Sequence, residues 1–268
     1  MFSRGLLIAT MVAGVLISAS SASDAPKVDP STTIDQLKVM AESGNTDAML
    51  ELGNRLVEGR GLDKNPEEAL KWFQKVADAG NGQGWYGVGF LYSDGRLGEA
   101  DIAKAITYFR KGAELGNADC QASLGLLYQA GDRIPGGVKG DPIEAVKWYR
   151  LAAEQNHTEA IQHLAMMNAR GMGIPQNDTE AAKWFRKGAD LGEGDCKWAL
   201  GQCYLDGKGV AQDTVQAYAL FSASLVNVQN QAQKQAMTDR RDKLGKALSV
   251  DQLKRAEEII GQWTAKLK

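Results

Sequence analysis

Histidine, cysteine and proline are scarce in this chain, and each shortage closes off a class of protein. Only two histidines occur, His157 and His163. Six residues apart on one helix, they fall on opposite sides and cannot share a metal as a pair four apart can. Both read as surface or groove residues. Cys196 and Cys203 are separated by about 10 Å of helical rise, too far for a disulfide. Cys120 and Cys196 recur two repeats apart, and all three cysteines read as small buried apolar residues. Six prolines beside 30 glycines is not the balance of collagen-like or disordered chains, which are rich in both. An excess of one charge is lacking too, since 31 Lys and Arg meet 33 Asp and Glu with no long basic run. Nucleic-acid binding through phosphate contacts is therefore not expected. No nucleophile elbow or phosphate-cradling glycine loop is legible, nor an assembled nucleophile, base and oxyanion donor. No catalytic residue, metal or cofactor is predicted.

Long apolar runs are also missing after residue 23, so no later segment is expected to cross a bilayer. Residues 1–23 themselves read as a secretory signal. Arg4 supplies the positive start, residues 6–17 the apolar core, and Ser20-Ser21-Ala22-Ser23 the small residues before Asp24. No cysteine stands there for lipid attachment. The mature chain is expected to be periplasmic or secreted, with no stable membrane insertion after signal cleavage. Residues 24–32, with two prolines, read as a disordered lead-in.

What the sequence does have is repetition. A small residue followed by x-x-x-Leu-Gly recurs as Ala48 with Leu52-Gly53, Gly84 with Val88-Gly89 and Cys120 with Leu124-Gly125. Ala160 with Leu164-Ala165 and Cys196 with Leu200-Gly201 complete the series, at spacings of 36, 36, 40 and 36. A second signature keeps the same register: Ala69 with Trp72-Phe73, Ala105 with Tyr108-Phe109, Ala145 with Trp148-Tyr149, Ala181 with Trp184-Phe185 and Ala217 with Leu220-Phe221. The four extra residues fall in the third copy, whose inter-helix loop carries Pro135-Gly-Gly-Val-Lys-Gly140.

Each copy reads as two helices. Small and Leu positions at i, i+4 and i+8 make one face of the first. It stops at Gly-x-Gly or Gly, where left-handed backbone is needed. Asn65-Pro66 and Asp141-Pro142 each set a capping side chain before a proline at the first helical position. Thr33 to Gln36 has capping-box spacing for a short N-terminal helix, and Ser249 to Gln252 has it for a last helix through Lys266. The predicted organisation is a capping helix at 33–43, five repeats at 44–228 and capping helices at 229–268.

The pattern Ala-x-x-x-Leu-Gly-x-x-Tyr-x-x-Gly-x-Gly, then Ala-x-x-Trp-Phe-x-x-x-Ala-x-x-Gly, resembles the Sel1-like repeat, a relative of the tetratricopeptide repeat. Residues 48–61, 69–80, 181–192 and 196–209 match it well; Asn168 departs, standing where Tyr92, Tyr128 and Tyr204 stand in other copies. The resemblance implies an all-α fold, a right-handed α-solenoid of helix-turn-helix repeats with capping helices at both ends. It also implies an exported adaptor that binds protein or peptide partners on its concave face, in envelope signalling or assembly, for example by restraining a sensor kinase. On the first helix the positions two and six residues after the small one are read as facing that groove. Tyr86, Phe90, Leu126, Met166 and Trp198 would make an apolar stripe there, with His163 beside it. The alternative, carried by a cysteine-rich exported subset of the family, is a cell-wall-directed hydrolase or β-lactam-binding protein. Ala113 and Ala189 stand where that subset has one cysteine of each disulfide, so its framework is absent.

Overall fold

The structure is a computed structural model, and it describes residues 28–29 and 31–265. The predicted signal, residues 1–23, lies outside the described residues, as do residues 24–27 and 30 of the predicted lead-in and Lys266. Among the described residues there are thirteen α-helices and no strand. They are α1 (Ile34–Glu42), α2 (Thr46–Glu58), α3 (Pro66–Asp78), α4 (Gly82–Ser93), α5 (Ile102–Glu114), α6 (Ala118–Ala130), α7 (Pro142–Glu154), α8 (Thr158–Arg170), α9 (Asp178–Asp190), α10 (Gly194–Asp206), α11 (Thr214–Ser224), α12 (Gln231–Gly245) and α13 (Val250–Ala265). The helix pairs α2–α3 through α10–α11 are the five copies. The chain divides into two units that meet at Asp141 and Pro142, so the loop of the third copy holds the boundary and α7 opens the second unit.

Local sequence starts and stops these helices. Asn45, Asn65, Asn81 and Asn117 each accept a backbone N–H at a helix start. The Thr33–Gln36 box closes in both directions, and Ser249 and Gln252 exchange the same pair of bonds ahead of α13. Asn156 has φ 67°, alone outside glycine among the described residues, and it fills the place that Gly80, Gly116 and Gly192 hold in other copies.

The two repeat signatures are explained by one contact. The aromatic ring of the second helix lies flat on the glycine of the first. A Cβ on Gly53 would sit 2.5 Å from Phe73, one on Gly89 2.6 Å from Phe109, and one on Gly201 2.8 Å from Phe221. Leu-Gly and Trp-Phe are thus two halves of one packing unit, and each fully buried ring contributes about 1.5–3 kcal/mol. In the first unit, α1 to α6, Phe73 joins Leu37, Leu52, Val76 and Leu91 in the core. In the second, α7 to α13, Phe185, Leu200 and Leu220 pack with Ala256, Ile259 and Trp263 of the last helix.

Candidate functional site

Of the residues read from the sequence as facing a groove, Tyr86 lies elsewhere than expected. In the first unit Tyr86 is 3% exposed and rests on Phe109, ring centres 5.9 Å apart. Leu50, also two residues after its small position, is equally closed. Tyr86 is therefore a core residue, which corrects its placement on an open stripe. Phe90 and Leu126 are half-buried, and Phe90 packs against the first core.

In the second unit Met166 is half-buried against the core. Trp198 is half-buried on Phe221, centres 4.2 Å apart. His163 is not a surface residue: its imidazole stacks on Tyr149 at 4.8 Å with 2° between the planes. Its Nδ1 is buried without a hydrogen-bond partner. His157 accepts from the Ala160 N–H and caps α8. The predicted stripe is therefore interrupted at Tyr86 in the first unit.

A different pattern organises the first helices. Six aromatic residues on them are half-buried, and each carries a cation on its face. Lys111 lies 4.5 Å from the centre of Trp85, Arg96 5.4 Å from Phe90 and Lys104 5.2 Å from Tyr92. Arg110 lies 6.0 Å from Tyr128, Arg240 5.8 Å from Trp198 and Arg186 5.7 Å from Tyr204. Arg110 and Arg186 also donate to the hydroxyls of Tyr128 and Tyr204. In the first unit two of these contacts are joined through Tyr108 into one ladder. Trp85 stacks on Tyr108 at 5.7 Å and Tyr108 on Tyr92 at 5.4 Å, closed at its ends by Lys111 and Lys104. Each cation on a ring adds about 0.5–1 kcal/mol at such exposed sites. Sequence reasoning missed these cation–ring contacts; for the two Arg–Tyr pairs, the shared separation of eighteen residues was the available signal.

Burial sets the protonation of the remaining groups. It pushes the Cys196 thiol up to about 12, helped by Glu193 and Asp195, and raises Cys120 well above its usual range. Cys203, half-buried where full burial was expected, is raised for the same reason. The described cysteines are free and held as thiols, poor nucleophiles in that form. Lys197 is 2% exposed and gives its ammonium to the Gly192 carbonyl at 3.0 Å, the end of α9; burial lowers its pKa. Among the described residues no group of three or more His, Cys, Asp or Glu could hold a metal ion, and no helix is long and apolar enough to cross a membrane.

His163 gives the second unit a pH dependence. Burial, then His157, lowers its pKa, so the folded chain keeps it neutral where the unfolded chain takes up a proton. Its contribution is present above about pH 6.5 and is lost as pH falls below that value. Melting followed by circular dichroism between pH 5 and 7.5 should show a smaller acid-side loss in His163→Phe than in the native chain. Equal losses would remove His163 as a cause.

Paired helices in register, sealed by further helices and faced with cation-topped aromatics, define a helical-repeat protein. The Sel1 repeat family model matches residues 46–81, 86–117, 118–157, 158–193 and 194–224, and the chain belongs to that family. A Sel1 repeat protein from Oxalobacter formigenes is 26% identical with a TM-score of 0.66, over 78% of this chain and 93% of that one. A protective antigen of uropathogenic Escherichia coli is 26% identical with a TM-score of 0.50, over 87% of this chain and 56% of that one. No curated protein matches the chain in sequence. Sel1 repeat proteins generally mediate protein–protein interactions.

Proposed function

We propose that this protein is an exported adaptor, delivered by residues 1–23 to the periplasm or beyond, that holds a protein partner in envelope signalling or assembly. Its contact surfaces are the half-buried aromatics on the first helices, in each unit by itself. The observation that carries this reading is the cation on every one of those rings. Trp, Tyr and Arg dominate the energetic centres of protein interfaces, and a ring half in the core and topped by Lys or Arg offers apolar area and charge together.

Crosslinking the protein in its native envelope tests it. A specific partner should be captured, and the charge reversals Lys104→Glu and Lys111→Glu at the ends of the Trp85–Tyr108–Tyr92 ladder should weaken capture about tenfold or more. Both lysines are exposed, so melting should stay within a few degrees of the native chain. Capture unchanged in the double variant removes the ladder from the contact surface. An uncleaved, cytoplasmic chain in fractionation and mass measurement removes export.

A further inference from the structure

Helix α12 differs from every repeat helix. Its sequence, QAQKQAMTDRRDKLG, buries one side chain, Met237. It packs on α11, where a Cβ on Gly245 would lie 2.7 Å from the Tyr218 ring. From that position Arg240 reaches past α11 to α10. Its guanidinium lies over Trp198 and donates to the Gln202 side-chain oxygen. Trp198 and Gln202 stand two and six residues after Cys196, the two rows of the first helix read as partner-facing. On this copy one side chain of the same chain, Arg240, already covers both of those residues. Its helix also carries one buried apolar residue, Met237, three residues before that arginine.

The neighbours of α12 are held far more firmly. Helix α11 buries Val215, Ala217, Ala219, Leu220 and Phe221. Beyond α12, α13 also packs on α11 and buries Ala256, Ile259 and Trp263. A polar helix of fifteen residues is marginal by itself in water. Helix α12 can therefore leave its place while α13 still seals the end of the unit.

We propose that α12 is an internal stand-in for a partner helix. The Trp198–Gln202 seat on α10 receives a helix that carries an apolar side chain and, one turn on, an arginine, and such a helix displaces α12. The proposal rests on the adaptor reading for the existence of a partner, and it adds the partner's chemistry and the site where it docks.

The probe is a fluorescein-labelled peptide of residues 230–247, titrated by anisotropy against the full-length protein. Arg240→Ala in the protein empties the seat, and that variant should bind the peptide about tenfold more tightly than the native chain, because self-occupancy lowers apparent affinity by the competent fraction. The peptide carrying Arg240→Ala should not bind, and Gln202→Ala added to the protein should weaken binding again. Arg240 is exposed and Gln202 half-buried, so both variants are expected to fold, which circular dichroism checks. Hydrogen exchange should quicken across 231–245 in Arg240→Ala and stay unchanged across 250–263. Equal peptide affinity in native and Arg240→Ala proteins, binding that ignores the peptide's arginine, or unchanged exchange overturns the proposal. If the peptide fails while envelope capture persists, only the seat is wrong. If the peptide behaves as expected and no partner is captured, the seat stands and the adaptor reading falls.

Discussion

Gly209→Ala is expected to cost about 3 kcal/mol or more, while Gly207→Ala, two residues earlier, costs about 1–2. Both glycines have left-handed backbone, φ 66° at Gly207 and 71° at Gly209, so an alanine at either carries the same conformational strain. Their surroundings differ. A Cβ on Gly207 would meet Gln212 at 3.4 Å, an ordinary contact, but one on Gly209 would lie 2.0 Å from the Asp178 carbonyl oxygen. That oxygen belongs to the first turn of α9, one copy earlier, and backbone there has nowhere to move without unseating the helix. The second glycine of Gly-x-Gly is thus where a copy touches its predecessor. Gly173 has the same relation to Pro142, at 2.3 Å. Urea unfolding of the full chain, followed by circular dichroism, measures both variants. Gly207→Asn should be milder than Gly207→Ala, since this chain already holds Asn156 at φ 67°. Equal costs for Gly207→Ala and Gly209→Ala would mean that strain alone decides and that the contact with α9 is negligible.

That pair also shows which features are legible in the sequence. Helix stops, caps and the small-residue face are local, decided within four or five residues, and Thr33–Gln36 and Ser249–Gln252 close as their spacing predicts. What covers a given side chain is not local. Helical angles put Tyr86 and Trp198 in one row, but Tyr86 is closed by Phe109, 23 residues on. Trp198 is met by Phe221 and, from a helix outside the repeats, by Arg240. A row position says which way a residue turns relative to its own axis; the neighbour that meets it depends on how the next helix is tilted and how long its side chains are. His163 shows the same gap, because the stack on Tyr149 depends on a ring presented by the preceding helix. The cations were hidden for another reason. Lys and Arg on second helices look like solvated charge until their cationic groups are seen over rings.

The cysteines invite a functional reading, and packing accounts for them more simply. In the register one turn before the end of each second helix stand Val76, Gly112, Ala152 and Gly188, and the small positions of the following first helices are Gly84, Cys120, Ala160 and Cys196. Where the second helix has glycine the next first helix has cysteine, and where it has alanine the next has alanine; Gly84 instead lies against the Phe73 and Ala77 backbone. At the glycine–cysteine and alanine–alanine junctions the shared volume is held nearly constant while the residues change places. The contact is close, since a Cβ on Gly112 would lie 2.3 Å from the Cys120 sulfur and one on Gly188 2.4 Å from that of Cys196. Gly112→Ala should therefore destabilise the first unit by about 1–3 kcal/mol through overpacking. Cys120→Ala alone should cost less, about 1 kcal/mol, by opening a small void. Together they recreate the Ala152–Ala160 junction, and the double variant should recover about 1–2 kcal/mol relative to the sum of the two. Urea unfolding of the four proteins gives that coupling. Additive costs would break the packing account. The sulfur at Cys120 would then need a chemical role, and a thiol buried and held protonated is poorly placed to have one.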